Sequence, residues 1–337
     1  MSCGRVVLIG AVHECLPAFE ALRESADCDL VGVVTLEAAA AQQVSGFVGL
    51  DRFAADHDIP TVLVSDVNES WAVTKIRELK PDLIAVVGWT RLIGDELLEL
   101  PSRGVVGFHA SLLPKNRGRA PVNWAIIRGE TETGNTMMLL DSGVDTGRIV
   151  DQAATPIYVD DTCATVYDRV AEMGAAMLRR NMRALLDGTA QPRVQDSAQA
   201  THLPKRVPAM GVTDWRRSPG AVYDWIRAQT VPYPGAFTTL RGEKLTIWNA
   251  SLPVRTRWSG GPGEILAVDG EGLWIGCGSG SLHITQVGFR DQGSIPAVDW
   301  FRLASAEIGD QFDAPDDATV EWSLGLGPRP EHMTSRA

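Results

Sequence analysis

The chain has 337 residues, 45% of them hydrophobic and 22% charged, and carries a formal net charge of −11 at pH 7. That length predicts two domains, because single cores stop growing before it, and the balance excludes a wholly disordered chain. The acidic surplus argues against a long nucleic acid as partner: the one basic cluster, Lys115 to Arg119, is short and suits a small phosphate better.

The opening "MSCGRVVLIG" reads as a first strand, not a secretory leader. Leu16, Phe19 and Leu22 then recur at helical spacing, and "CDLVGVVT" is a second apolar run. "DRFAADHDIPTVLV" gives a helix, a stop at Pro60 and a strand. "WAVTKIRELKPDLIAVVG" gives a helix and the strand Leu83 to Val87, and "GVVGFHA" one strand more. Continuous apolar runs separated by helices predict an α/β domain with a Rossmann-like, doubly wound parallel sheet. A dehydrogenase is not expected, since "GAVHEC" lacks the glycines of a dinucleotide turn. His13, in that turn, reads as a surface or capping group.

A long helix is predicted over Thr162–Leu186, and the polar, aperiodic stretch after it reads as a linker. Beyond the linker come a short helix, "SPGAVYDWIRAQ", and five short runs rich in β-branched and aromatic residues, which predict a small antiparallel barrel. The expected boundaries are 1–190 for the catalytic domain, 191–207 for the linker, 208–310 for the barrel and 311–337 for a loose tail. Five cysteines with no CxxC spacing fit a reducing cytoplasm and make a zinc site an unexpected feature; no metal is predicted. No run approaches the 18 apolar residues or more of a membrane span.

His109 ends the "VVGFH" strand, and in open α/β sheets ligands bind beyond the carboxyl ends of strands. "DSGVDTG", between the strands "NTMMLL" and "RIV", is a tight loop with two acids. A carboxylate brought to a histidine stabilises its charged form and makes it a better base. Of Asp141 and Asp145, one is expected to serve the turn alone, and pattern does not say which.

The motifs "HASLLPKNRGRAP", "GETETGNTM" and "DSGVDTGRIV", in that order, resemble the catalytic core of the folate-dependent formyltransferases, a family that includes methionyl-tRNA and amino-sugar formyltransferases. The resemblance runs from the first strand to about residue 250, through "PYPGAF". It implies a Rossmann-like catalytic domain with a C-terminal OB-like barrel, a formyl donor, 10-formyltetrahydrofolate, and a primary amine as acceptor. Carried over residue by residue, it implies that His109 is the base and Asp145 its orienting partner. The family's asparagine stands where this chain has Gly107, a departure that removes an expected donor to the oxyanion. Losing such a donor costs ~10²–10³ in rate elsewhere. Charged His109, a backbone N–H, a water or Asn116 is left to replace it, or the protein binds without turnover.

By the same resemblance, Gly88, Trp89, Leu92 and Ile93 after one strand, with Val144 and Asp145, line the pterin pocket; Trp89 either flanks the flat ring or packs in the core. Ser111, Arg117, Arg119 and Asn123 are candidate substrate residues, with Arg119 first for phosphate, and Trp124 walls the site or packs. The stretch "LEAAAAQQVSGFVGLD" has no Lys or Arg where tRNA enzymes carry a basic loop, which argues against tRNA. The acceptor expected first is a nucleotide-linked amino sugar, with an amino-acid-derived amine such as hydroxyornithine as the alternative. A homo-oligomer is compatible with the sequence.

Overall fold

The computed structural model describes residues 3–42, 44–253, 258–290 and 292–333, in two compact units. The first takes in the chain up to Pro121, then Glu132–Pro156 and Thr165–His202; the second takes in Val122–Thr131, Ile157–Ala164 and the chain from Leu203 onward. The units interleave along the sequence, so residues 191–202, which read as part of a free connector, belong to the first unit.

Chain order begins β1 (Gly4–Ile9), α1 (Cys15–Arg23), β2 (Cys28–Leu36), α2 (Ala38–Ala41), α3 (Leu50–Ala55), β3 (Thr61–Val64), α4 (Ser70–Glu78) and β4 (Leu83–Val86). It continues α5 (Asp95–Leu98), β5 (Val105–His109), β6 (Arg117–Gly118), α6 (Pro121–Ile127), β7 (Glu132–Leu139), β8 (Arg148–Pro156), α7 (Cys163–Asp187) and β9 (His202–Leu203). Seven strands form one sheet in the order β3-β2-β1-β4-β5-β7-β8. The first five are parallel, while β7 runs antiparallel to both β5 and β8. The sheet is therefore mixed where an all-parallel one was expected. Too few residues separate Leu139 from Arg148 for a crossover helix, so β8 has to return antiparallel.

The strands alternate between two apolar layers, as a pleat with period two requires. Val6, Leu8 and Val106 pack with Phe19 and Leu22 of α1 and with Met177, Leu178, Met182 and Leu185 of α7. Val7, Ile9, Ile84 and Val105 pack with Val73 and Ile76 of α4 and Leu97 of α5 on the other face. The strand order reverses between β1 and β4. There Ala11 N and Val12 N both donate to Gly88 O at 3.1 Å. Gly88 has φ +60°, and a Cβ on it would meet Val12 Cγ2 at 2.9 Å, so the turn after β4 needs a glycine.

The second unit adds α8 (Pro219–Arg227), β10 (Ala236–Leu240), β11 (Glu243–Ser251), β12 (Ile265–Val268), β13 (Leu273–Gly276), β14 (Ser281–Phe289), β15 (Ser294–Pro296), α9 (Ala297–Leu303) and α10 (Asp317–Ser323). Ser218 caps α8 by accepting a bond from Ala221 N, with Pro219 behind it. All five short runs read from the sequence are strands of one antiparallel sheet, β10-β11-β14-β13-β12, with β15 on β14. The sheet does not close into the expected barrel: β10 and β12 end its order. Both edges are covered by an irregular segment, through Asp313 N to Thr239 O and Gly309 N to Ile265 O, each 2.9 Å.

The stretch expected to be a loose tail packs in this unit. Phe312 stacks on Trp215 with ring centroids 5.7 Å apart, and Asp316 caps α10, whose Trp322 is buried. Residues 334–337 of that stretch lie outside the described residues. Arg206 lies between the indoles of Trp124 and Trp225, 4.7 and 4.9 Å from their centroids, and burial pulls its pKa down to about 10. Trp124 is thus a packing residue of the second unit; its Nε1 donates to Pro204 O. No helix among the described residues is long and apolar enough to cross a membrane.

Candidate active site

His109 is the last residue of β5 and sits opposite Thr136 of β7. Thr136, fully buried, holds the chain as it leaves that strand end. Its hydroxyl donates to Ser111 O at 2.6 Å and accepts from Leu113 N at 3.2 Å and from Gln152 Nε2 at 2.8 Å. Thr136→Val keeps the shape and strands these groups. It is expected to cost about 1–3 kcal/mol, read as a lower urea midpoint; an unchanged midpoint contradicts the assignment.

The side chain of His109 is 7% exposed and that of Asp145 18%. His109 Nε2 lies 2.7 Å from Asn116 O, and Nδ1 lies 3.5 Å from Asp145 Oδ1. A backbone carbonyl only accepts, so Nε2 carries a proton and donates it. Nδ1 is then the nitrogen free to take up or release a proton, and it faces a carboxylate. Asp145 Oδ2 accepts from Gly118 N at 2.8 Å. Asp141 is the turn residue: its Oδ1 accepts from Gly143 N and Thr146 Oγ1.

Both members of the pair are held from the same segment of chain. Asn116, whose carbonyl receives His109, donates its own N–H to Thr201 Oγ1 at 2.8 Å, and Arg117 N donates to Thr201 O at 2.9 Å. Asp145 is held by Gln195, whose Nε2 donates to Asp145 O at 2.9 Å and to Gly147 O at 2.7 Å. Four residues here have left-handed backbones: Asn116 (φ 60°), Gly118 (φ 110°), Ala120 (φ 55°) and Asp145 (φ 54°). Such a density of strain beside one histidine fits a site whose geometry is imposed by its surroundings. Gln195 and Thr201 lie in a stretch without hydrophobic period, so no sequence pattern marked them.

The other expected residues divide. Leu92 is 66% exposed and Val144 51%, so two loops at the carboxyl edge show apolar side chains to solvent. Ile93 and Trp89 are partly buried against the α4/α5 layer, and Trp89 Nε1 is buried with no partner among the described residues. Arg119 is exposed and donates from Nη2 to Thr90 O at 3.1 Å, tying the loop after His109 to the loop after Gly88.

Three expected substrate residues are turned inward. Ser111 is buried and bonds Lys115 O at 2.8 Å. Arg117 is buried, with Nε and Nη2 on Gln195 Oε1 at 3.2 and 2.7 Å. Asn123 belongs to the second unit, buried, and donates to Ala228 O at 2.6 Å. Polarity in sequence does not say which way a side chain faces, and here the loop's own backbone takes these groups.

Gly107 is ordinary strand backbone, not left-handed. A Cβ built on it would meet Leu140 Cδ2 at 2.5 Å and Cγ at 2.9 Å. By the pleat it shares a face with His109. The place where the family's asparagine would stand beside the imidazole is therefore filled by Leu140.

At the end of β1, His13 lies 3.5 Å from Glu14 Oε2 and 3.8 Å from Asp168 Oδ1. Burial pushes the Glu14 carboxyl above the ordinary carboxylate range. A carboxyl that binds its proton more tightly folded than unfolded removes stability as pH rises from the ordinary range into the raised one. Glu14→Gln is therefore expected to raise the Tm at about pH 7 and to leave it nearly unchanged at about pH 4. Equal Tm values for variant and wild type at both pH values contradict this.

Burial also pushes the thiols of Cys163 and Cys277 up to about 12, which leaves neither as a thiolate nucleophile. A depression of about 530 Å³ among Arg77, Lys80, Glu96 and Glu99 lies at the amino ends of β4 and β5, the edge away from His109.

The fold sets an imidazole and a carboxylate side by side at the carboxyl edge of an α/β sheet. The formyl transferase family model matches residues 20–182, and the model of the formyl transferase C-terminal domain matches residues 207–305. The chain belongs to the formyltransferase family. It is 35% identical over 304 residues to a methionyl-tRNA formyltransferase of Geobacter sulfurreducens, covering 89% of this chain and 94% of that one.

Among solved structures it resembles an N-formyltransferase from Helicobacter canadensis, in complex with folinic acid and dTDP-3-aminofucose. There the identity is 18%, with 83% of this chain and 98% of that one covered and a TM-score of 0.63. It also resembles HypX from Aquifex aeolicus in complex with tetrahydrofolic acid, at 19% identity and TM-score 0.65. That match covers 93% of this chain but 51% of HypX, so the chain spans about half of HypX. At these identities the two structures bear on the fold.

Proposed function

We propose that the protein transfers a formyl group from 10-formyltetrahydrofolate to the primary amine of a small acceptor, first a nucleotide-linked amino sugar. The observation that carries this is the His109–Asp145 pair, with Asp145 anchored at both its carboxylate and its backbone oxygen. The folate supplies an activated formyl carbon. Exposed Leu92 and Val144, and the unpartnered indole N–H of Trp89, fit a flat ring that is apolar on its faces and polar at its edge. His109 Nδ1, beside Asp145, takes the proton that the attacking amine loses as its bond to the formyl carbon forms, and returns it to N10 of the folate as the formyl C–N10 bond breaks and tetrahydrofolate leaves. With Leu140 where an asparagine would stand, the oxyanion is left to a backbone N–H or a water. Arg119, exposed and tied to Thr90, is the group for an acceptor phosphate.

A second reading has methionyl-tRNA as the acceptor. The Geobacter relative favours it; the absence of Lys and Arg from residues 36–51 stands against it. The test is tetrahydrofolate release and product mass with three acceptors: a nucleotide-linked amino sugar, hydroxyornithine and charged initiator tRNA. Formylated sugar with unmodified tRNA is expected. Formylated tRNA with untouched sugar overturns the acceptor, formylated hydroxyornithine alone supports the amino-acid alternative, and no release with any amine supports a binding protein without turnover.

A further inference from the structure

The amide of Gln195 joins the buried guanidinium of Arg117 to the turn at Asp145. Its oxygen receives Arg117 Nε and Nη2, and its nitrogen donates to Asp145 O and Gly147 O. With two donors on one end and two acceptors on the other, the amide has a single orientation. Asp145 supplies the first of the two carbonyls the amide holds, and its backbone is left-handed, a conformation that a non-glycine residue keeps only where its surroundings over-determine it. That backbone aims one carboxylate oxygen at His109 and the other at Gly118 N.

Building on the reading of His109 and Asp145 as the catalytic pair, we infer that Gln195 is a positioning residue for formyl transfer. Its amide locks the left-handed turn at Asp145 and so sets the carboxylate against the imidazole. Arg117, buried on the other side of the amide, fixes which end of Gln195 faces the turn. Without the two amide donors the turn relaxes, and the carboxylate loses its register with both His109 and Gly118. A displacement of about 1 Å at a reacting pair is enough to cost about 10²-fold in rate.

Gln195→Glu separates positioning from packing. A carboxylate still accepts both Arg117 N–H groups but offers nothing to Asp145 O and Gly147 O. Gln195→Met, uncharged, removes both ends. Turnover is read with the acceptor found active, and exchange of the Gly118 amide hydrogen is read by NMR on the free enzyme. Gln195→Glu is expected to melt close to wild type, to lower kcat by about 10²-fold with KM values within about twofold, and to speed Gly118 exchange by about tenfold or more.

Gln195→Met is expected to speed the same amide, which shows that added charge is not the cause. Wild-type Gly118 exchange in both variants overturns the inference whatever the turnover. Faster exchange with wild-type kcat overturns it too, provided Asp145→Asn is impaired. Faster exchange with both Gln195→Glu and Asp145→Asn at wild-type kcat upholds the clamp on Asp145 and overturns the catalytic pair.

Discussion

His109→Gln lowers kcat for formyl transfer by about 10²–10⁴-fold, the usual range for removing a positioned general base, with the donor KM changed only a few-fold. Glutamine is the informative replacement. Its amide nitrogen stands near the place of Nε2 and can still donate to Asn116 O, the 2.7 Å bond that ties the loop to the strand end. It has no basic nitrogen to set against Asp145. The variant therefore separates the two functions of one ring, holding the loop and moving the proton. A variant within about threefold of wild type in kcat removes His109 from the chemistry.

Gly107→Asn, which restores the family's residue, is expected to destabilise the fold by about 2–5 kcal/mol. Its Cβ would come to 2.5 Å from Leu140 Cδ2, and an amide would then enter a wall closed by Leu140 with Met138 and Ile149 alongside. Overpacking and an unpaired buried amide act together. The backbone does not forbid the change, since Gly107 is not left-handed, so space alone is at fault. Gly107→Asn combined with Leu140→Ala is then expected to recover most of the loss, because the second change clears the place the first needs. Urea unfolding of both singles and the double measures the coupling; additive losses contradict a shared space. Gly107 and Leu140 are thus expected to answer for one volume between them.

The strands and the long helix could be read because burial writes itself into sequence as apolar runs and helical spacing, from "VVLI" of β1 to α7. Direction was not legible in the same way: a strand's residues do not say which way it runs, and only the short link between β7 and β8 turns one back on the other. The barrel expectation failed on closure, since strand count and turns do not say whether the two edges meet, and here a segment near residue 310 covers them. Trp215, Phe312 and Trp322 show why the end of the chain was misread. Its charges are frequent, but a few aromatic side chains anchor it.

At the site, a strand end pointed to His109, while the tight acidic loop offered Asp141 and Asp145 alike and only the family resemblance singled out Asp145. Ser111, Arg117 and Asn123 were expected at the substrate by resemblance, yet each faces inward to satisfy backbone or a neighbouring amide. Gln195 escaped notice because its partners, Arg117 and Asp145, are 78 and 50 residues away. Bonds of that reach leave no local period.

The most direct measurement is a crystal structure with 5-formyltetrahydrofolate, a stable analogue of the donor. The pterin is expected between the Gly88–Ile93 loop and Val144–Asp145, with the formyl group within about 3 Å of the His109 ring or one water away from it. A folate bound elsewhere on the chain, or one whose formyl group points away from His109 and Asp145, contradicts the assignment of the reacting centre.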